Sequence, residues 1–413
     1  ELKRYFSDAK IKKIHSIITK YIGVEVMLNI LKINLLVAIL LLFSQNISAQ
    51  SDLEIFGFFQ ATGTYLDGGY SAVADLTPFG YPATTVEEQK ENYLSVNLQQ
   101  LNLFARKELT DNFTAWVNFE LTNSYNTKND WGSFSLDEAW INYQQSDYLN
   151  VKAGLLIPRF GYLNEIKNRM PLLPYITRPL IYESSISAID QTNYLPERAF
   201  FQANGYFPAS SVTLDYSAFV GPSETDYIES EGALIGSAAD TTLFKLFGGR
   251  VGLKYDDLRI GISSTFDKDN QQATLGEDVP RTRIAFDLGY SIFNFFIDGE
   301  YIMVNLKPES TDADMDKLFY YASLGYNFSD DLFGYVSYSY LEDKASNILR
   351  AGMKGVVVGL GFKPTERVVI KAGYSSYFAN STFETVQEPF PLPFNTTVDI
   401  DTKAVQLAVS VIF

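Results

Sequence analysis

The chain of 413 residues contains no cysteine and a single histidine, His15. Without cysteine there is no disulfide framework, no thiolate metal site and no cysteine nucleophile, and one histidine cannot build a His-rich zinc centre. Positive charge is also scarce: 33 Lys and Arg face 49 Asp and Glu, a formal charge of −16. That is the wrong sign for a nucleic-acid binder, which needs a basic face to meet phosphate. Long apolar runs are missing too. The most prominent block, Leu35–Phe43, has nine residues, and a membrane-spanning helix needs about 20.

What the chain has in abundance is aromatic side chains, 27 Tyr and 31 Phe, with aromatics at 15% of all residues. The mean hydropathy is nevertheless only −0.04. Apolar and polar residues must therefore alternate finely, which is the pattern of strands with two unlike faces.

The amino-terminal segment reads as an address. Lys32 precedes the apolar block, and Ser44–Ala49 supplies a polar exit ending on a small residue. This predicts a signal peptide over 27–49, cut after Ala49, with residue 50 opening the mature chain. Residues 1–26, upstream of Met27, are expected to be a non-native extension. Removing residues 1–49 takes away seven Lys/Arg, three acids and the only histidine, and leaves a charge of −20 on 50–413.

Beyond that point period-two alternation recurs. Phe113, Ala115, Val117, Phe119 and Leu121 alternate with Thr114, Trp116, Asn118, Glu120 and Thr122; Ile284, Phe286, Leu288 and Tyr290 oppose Arg283, Asp287 and Gly289. Sixteen such segments are expected, the first two at 53–66 and 93–108, the third at 113–126 and the last two at 367–378 and 402–413. Tight connections such as Asp256–Asp257 alternate with long ones at about 67–92, 127–133, 158–197, 222–242, 268–280, 308–316, 343–352 and 379–401. A soluble sandwich gives no reason for that strict alternation. An outer-membrane barrel does, with short periplasmic turns, long external loops, a polar inside and an apolar outside. The predicted fold is all-β: a 16-stranded antiparallel transmembrane β-barrel. Paired aromatics at Phe200–Phe201, Tyr206–Phe207 and Tyr320–Tyr321 suit interfacial girdles. Val405, Leu407, Val409, Val411 and the terminal Phe413 share one face and match the carboxy-terminal signature that such barrels present to the barrel assembly machinery.

The stretch VKAGLLIPRFGYLNE, Val151–Glu165, followed by Arg178-Pro179-Leu180, resembles Gram-negative outer-membrane porins related to the phosphate-selective porins O and P, particularly Bacteroidota-type members. The resemblance implies a sixteen-stranded barrel in the outer membrane and a homotrimer. It does not carry over phosphate selectivity, because no Arg- or Lys-rich anion pathway can be matched residue by residue.

Sixteen strands leave an aqueous channel, so the expected function is diffusion of small hydrophilic solutes or ions. The third external loop, 158–197, is the longest connection and the expected constriction. Arg159, Arg169 and Arg178 are expected on its cationic side, and Glu165 and Glu183 on its acidic side; opposed charges would set up a transverse field. Arg250, Lys254, Arg259 and Arg283 are expected to line the lumen opposite Asp298 and Glu300. Lipid and lipopolysaccharide are the expected neighbours of the acidic rim, formed by 67–92, 222–242, 308–316 and 379–401, which together carry −17. No cofactor, metal or nucleic acid is expected. Asp312, Asp314 and Asp316 open like a calcium loop, but Lys317 replaces the expected glycine. Enzymatic barrels use a histidine base, which the mature chain lacks. Two rival readings remain: a substrate-specific channel for oligosaccharides or organic or phosphate anions, with Trp116 and Trp140 as a sliding surface, and a non-conducting barrel serving adhesion or secretion.

Overall fold

The computed structural model describes residues 53–122, 133–169, 172–183, 189, 191–223, 245–271, 275–385 and 393–413. The expected extension 1–26 and signal peptide 27–49 lie outside the described residues, as does most of the acidic connection 222–242.

Sixteen strands follow one another: β1 (Leu53–Ala74), β2 (Thr84–Thr110), β3 (Phe113–Thr122), β4 (Ser133–Ser146), β5 (Leu149–Leu156), β6 (Ala199–Ala209), β7 (Val212–Pro222) and β8 (Lys245–Tyr255); then β9 (Leu258–Gln271), β10 (Glu277–Ile292), β11 (Phe295–Leu306), β12 (Lys317–Asn327), β13 (Leu332–Asp343), β14 (Met353–Thr365), β15 (Val368–Thr385) and β16 (Phe394–Ile412). Each pairs with its sequence neighbours, and β1 also pairs with β16, from Phe58↔Ile412 to Ala74↔Thr396, so the sheet closes into a barrel. Closure is what hydrocarbon demands, because lipid cannot satisfy the N–H and C=O groups of an open edge. At the seam Phe413 N–H donates to Gly57 O at 2.9 Å, and Gly57 N–H donates to Phe413 O at 3.0 Å.

The two faces sort as the alternation requires. On β9, Ile260, Ile262 and Phe266 are exposed on the outside, while Ser263, Thr265, Asp267 and Asp269 are buried within the barrel. The aromatic pairs behave differently from one another. Phe200, Phe201, Tyr206 and Phe207 are all exposed, but Tyr321, expected in a girdle beside Tyr320, points inward and is buried.

Two expected external loops are instead tall hairpins. β1 continues to Ala74 and β2 begins at Thr84; β15 continues to Thr385 and β16 begins at Phe394. Backbone pairing persists to Ala74↔Thr396 and Thr385↔Phe394, well past the end of apolar alternation, because ladder hydrogen bonds do not require apolar side chains. Asp67, Glu87, Glu88, Asp399 and Asp401, expected in loops, therefore lie on strands. β3 is described from Phe113 to Thr122, and the rest of its expected span, 123–126, lies outside the described residues.

The opposite rim is made of tight turns. Ser210, Asp256 and Phe293 adopt left-handed backbone there (φ 59, 48 and 51°), the conformation whose twist matches that of flanking strands. On β5, Gly154 has φ +131°, and a Cβ built there would lie 2.2 Å from Ala139 O. The β5–β6 register shifts at this point, between Ala153 and Leu156, which starts the chain on its path into the lumen. Gly154→Ala should destabilise the barrel by about 1–3 kcal/mol, whereas Gly63→Ala, with its nearest neighbour 3.9 Å away, should be close to neutral. Thermal loss of the folded-barrel band on gels measures both; equal midpoints would contradict this account.

Candidate functional site

The connection between β5 and β6, residues 157–198, is here termed loop three, and its described residues lie inside the barrel. Its two ends are tied together by Asn164, which is fully buried and donates from Nδ2 to Pro158 O (3.1 Å) and Pro196 O (2.9 Å). From there the loop is bonded to the inner wall on several sides. Gly161 N–H donates to Ser263 Oγ of β9 at 3.0 Å. The Glu300 carboxylate of β11 accepts from Tyr162 N–H, from Leu163 N–H at 2.8 Å and from Tyr182 OH at 2.5 Å. Lys371 of β15 donates from Nζ to Leu173 O (2.7 Å) and Tyr175 O (3.1 Å). Gln100 of β2 donates to Asn168 O at 2.5 Å, and Thr177 bonds Gln406 of β16. Arg283 of β10 donates to Thr192 O at 2.7 Å, and Tyr194 OH to Glu342 O of β13 at 3.0 Å.

Polar anchors alone do not explain why the loop turns inward. Leu163, Leu180, Ile181, Tyr182 and Leu195 are 1% exposed or less and share one cluster with inward side chains of β10 to β15, among them Ile302, Val304, Phe319, Phe333, Tyr335 and Met353. Burying each large apolar side chain contributes about 1.5–3 kcal/mol. A purely aqueous lumen would leave that wall wet. The sequence signal was present but unread: in Tyr301–Leu306 (YIMVNL) and Leu318–Ala322 (LFYYA) apolar residues fall on both faces, and a strand apolar on both faces must be covered on both. The facing wall is polar. Gln60, Thr62, Gln100, Asn102, Asn118 and Gln202 are buried there, and Asn102 donates to Asn118 (3.1 Å), which donates to Asp137 (3.0 Å).

The charged residues expected in the constriction fall into two groups. Arg159 and Glu165 pair directly, Nε to Oε2 at 2.9 Å, and both keep partial exposure, 35% and 27% of the side chain. Burial acts to raise the Glu165 pKa, but Arg159 and then Lys152 outweigh it and hold the carboxyl below its ordinary range. The carboxylate beside Arg159 is therefore held in its charged form. Arg169 is half-buried, with its backbone N–H on Ile166 O at 2.8 Å. Arg178 and Glu183 are packed within the loop, at 9% and 3% exposure. Arg178 N–H donates to Glu183 Oε2 at 3.0 Å, and its Nη1 to Lys167 O, also at 3.0 Å. Acid and base thus pair locally along the loop instead of facing each other across open space.

The expected lumen patch is rearranged as well. Arg250 is held by Asp287 (2.8 and 3.1 Å) and Asp215 (2.6 Å), and Arg283 by Asp267 (3.2 Å). Their acidic partners are therefore not Asp298 and Glu300, which bind loop three instead. Cross-strand register decides this: Asp287 lies opposite Gly261, a residue without a side chain to intervene, and Arg281 lies directly opposite Asp267. Arg281, overlooked in the sequence, is 1% exposed and makes a bidentate pair with Asp267 (2.9 and 2.5 Å) and a third contact with Asp269 (2.7 Å). Lys254 and Arg259 remain more open, exposed and half-buried respectively. Phe413 is half-exposed at the seam.

A closed barrel of sixteen antiparallel strands, apolar outside and carrying an inward-folded loop, defines an outer-membrane channel for small solutes. A family model described as Gram-negative porin matches residues 36–382, and the chain belongs to that family. Among solved structures it is similar to the outer-membrane channel DcaP of Acinetobacter baumannii, with 13% identity, 88% of this chain and 98% of that one covered, and a TM-score of 0.55. It is also similar to an anion-selective porin from Comamonas acidovorans (11%, 88% and 100%, 0.51) and to OprB of Pseudomonas putida (12%, 90% and 96%, 0.51). At these identities the likeness is one of fold. No curated protein matches the chain in sequence.

Glu300 carries three loop donors, so Glu300→Leu leaves them without an acceptor at about 1–3 kcal/mol each. Loop three should then become accessible to protease and single-channel conductance should rise, with the barrel still folded. Unchanged proteolysis would show that the apolar contacts suffice.

Proposed function

We propose that solutes pass between loop three and the polar wall formed by β2 to β6, with Arg159, Glu165 and Arg169 lining the narrowest part and Lys152 beside them. The observation that supports this reading most directly is the partially exposed Arg159–Glu165 pair, with Lys152 Nζ 3.9 Å from Glu165. Arg178 and Glu183 act in this reading as pins that hold the loop, and Arg250, Arg283, Asp298 and Glu300 as the inner wall to which it is fastened. Mixed charge at the constriction favours small hydrophilic solutes and gives weak ion selectivity.

Kinship with porins related to the phosphate-selective porins O and P is part of the proposal, on the strength of Val151–Glu165. Their selectivity is not, because Arg250, Arg281 and Arg283 are each neutralised by aspartates. A homotrimer, recognition of Phe413 by the assembly machinery and lipopolysaccharide around the acidic rim complete the reading. The substrate-specific alternative is favoured by one observation, an inward aromatic run across β1 to β4. Ring centroids are 5.2 Å apart for Phe56–Phe104, 5.1 Å for Phe104–Trp116 and 5.6 Å for Trp116–Trp140, and Lys152 lies 4.5 Å above the Trp140 ring.

Arg159→Ala removes the nearest cation from Glu165, leaving Lys152 and the more distant Arg169, and should raise the cation-to-anion permeability ratio by on the order of twofold, read from reversal potentials in a salt gradient. Arg178→Ala should change loop stability more than selectivity. If Arg159→Ala leaves reversal potentials at the native value, the proposed path is wrong.

A further inference from the structure

Beneath loop three, on the side of the short turns, lies a chamber of about 470 Å³, within the range of small-molecule sites. Ser291 and Asn327 line it within two residues of tight turns, and Asp257 lies in one. Its roof is the loop segment Leu172–Tyr175, and its far wall includes Phe296 and Phe333.

Two features of its lining are unusual. First, Lys254 and Arg259 are direct cross-strand partners in the β8–β9 ladder. Like charges placed opposite each other repel, and the carboxylates nearby relieve them only in part. Lys254 makes no ion pair among the described residues. The ion-pair partner of Arg259, Asp287 Oδ1, is 3.9 Å away, and both Asp287 oxygens are already taken by Arg250. The Arg259 guanidinium is stacked 3.2 Å from the Tyr162 ring centroid, in space left by Gly289, where a Cβ would meet Nη2 at 2.4 Å. Lys363 adds a third cation, 5.4 Å from the Phe333 ring centroid. Of the two acids present, Asp257 is exposed at the mouth. Asp298 accepts from Tyr175 OH (2.6 and 2.8 Å) and Tyr321 OH (3.0 Å). Second, Leu172 is 61% exposed although it lies inside the barrel. A large apolar side chain left uncovered beside cations that are only partly compensated marks a place for something amphipathic.

We propose that this chamber binds a small organic anion, a carboxylate on an aromatic body, with the carboxylate between Lys254 and Arg259 and the ring against Leu172, Pro174 and Phe296. An inorganic anion would leave the apolar roof idle, and a neutral aromatic would leave Lys254 facing Arg259 with no anion between them. The site rests on loop three staying folded in the lumen, since the loop supplies the roof.

The test is calorimetric titration of the purified full-length barrel in detergent with 3-phenylpropionate, against 3-phenylpropanol and propionate, with detergent-only blanks. Saturable one-to-one binding of phenylpropionate is expected, about tenfold tighter than either control. Lys254→Gln should weaken phenylpropionate about tenfold and leave phenylpropanol unchanged, while Leu172→Ser should weaken phenylpropionate and leave propionate unchanged. Retained heat-modifiable mobility on gels shows that each variant is folded. Equal affinity for phenylpropionate and phenylpropanol, or native affinity in folded Lys254→Gln, overturns the proposal. Ligand-free conductance of the same proteins reports separately on the proposed path: a chain that conducts and does not bind overturns the site alone, and one that binds without conducting supports the site and overturns the path.

Discussion

Every other feature of this molecule follows from the pairing of β1 with β16. A sheet in hydrocarbon has no water to satisfy its edge, so the two terminal strands must find each other across the whole length of the chain. Seventeen consecutive residue pairs, from Phe58↔Ile412 to Ala74↔Thr396, accomplish this, and the terminal Phe413 completes the seam against Gly57. Once sixteen strands are closed, the interior is too wide for wall side chains to fill. The protein then has to manage a lumen, and loop three is how it does so.

The lumen has two unlike walls. From β10 to β15 inward positions hold Ile302, Val304, Phe319, Phe333 and Tyr335, and loop three covers them with Leu180, Ile181 and Tyr182. Hydrophobic burial sets the side on which the loop settles. Hydrogen bonds accepted by Glu300 and donated by Lys371 and Arg283 then set its register, because their polar groups would otherwise be buried without partners. On the other side a ladder of amides and aspartates remains, and charged residues of loop three, Arg159 and Glu165 foremost, face it while partly open to solvent. The loop is therefore packed on one side as a protein core is and left partly open to solvent on the other.

Electrostatics follow the same division. Arg281, Arg283 and Arg250, which would form an anion-attracting strip if free, are paired with Asp267, Asp269, Asp287 and Asp215 on neighbouring strands. Buried charges of this kind stabilise only as complete sets, since removing one partner leaves the other uncompensated. Lys254, which makes no ion pair among the described residues, and Arg259, held only by Asp287 at 3.9 Å, sit at the short-turn side of the loop, where the chamber opens. Net charge counted over the chain consequently says little about what the channel admits.

The amino-acid sequence by itself determined the barrel. Alternation along strands such as Phe113–Thr122, the strict alternation of tight turns with long connections and the terminal aromatic strand are local patterns, each readable without knowing its neighbours in space. Strand ends were legible only where apolar alternation and pairing stop together; at β1–β2 and β15–β16 pairing outlasts alternation, so the hairpins run taller than the pattern indicates. What tertiary structure alone decided is which charge meets which. Arg178 and Glu183 look like residues of an open constriction and are internal pins; Glu300 looks like a lumen acid and is the main anchor of loop three. Those roles depend on cross-strand register and on a loop that reaches across the barrel, and contacts between residues more than a hundred positions apart, such as Tyr182 with Glu300, leave no periodic trace in the sequence.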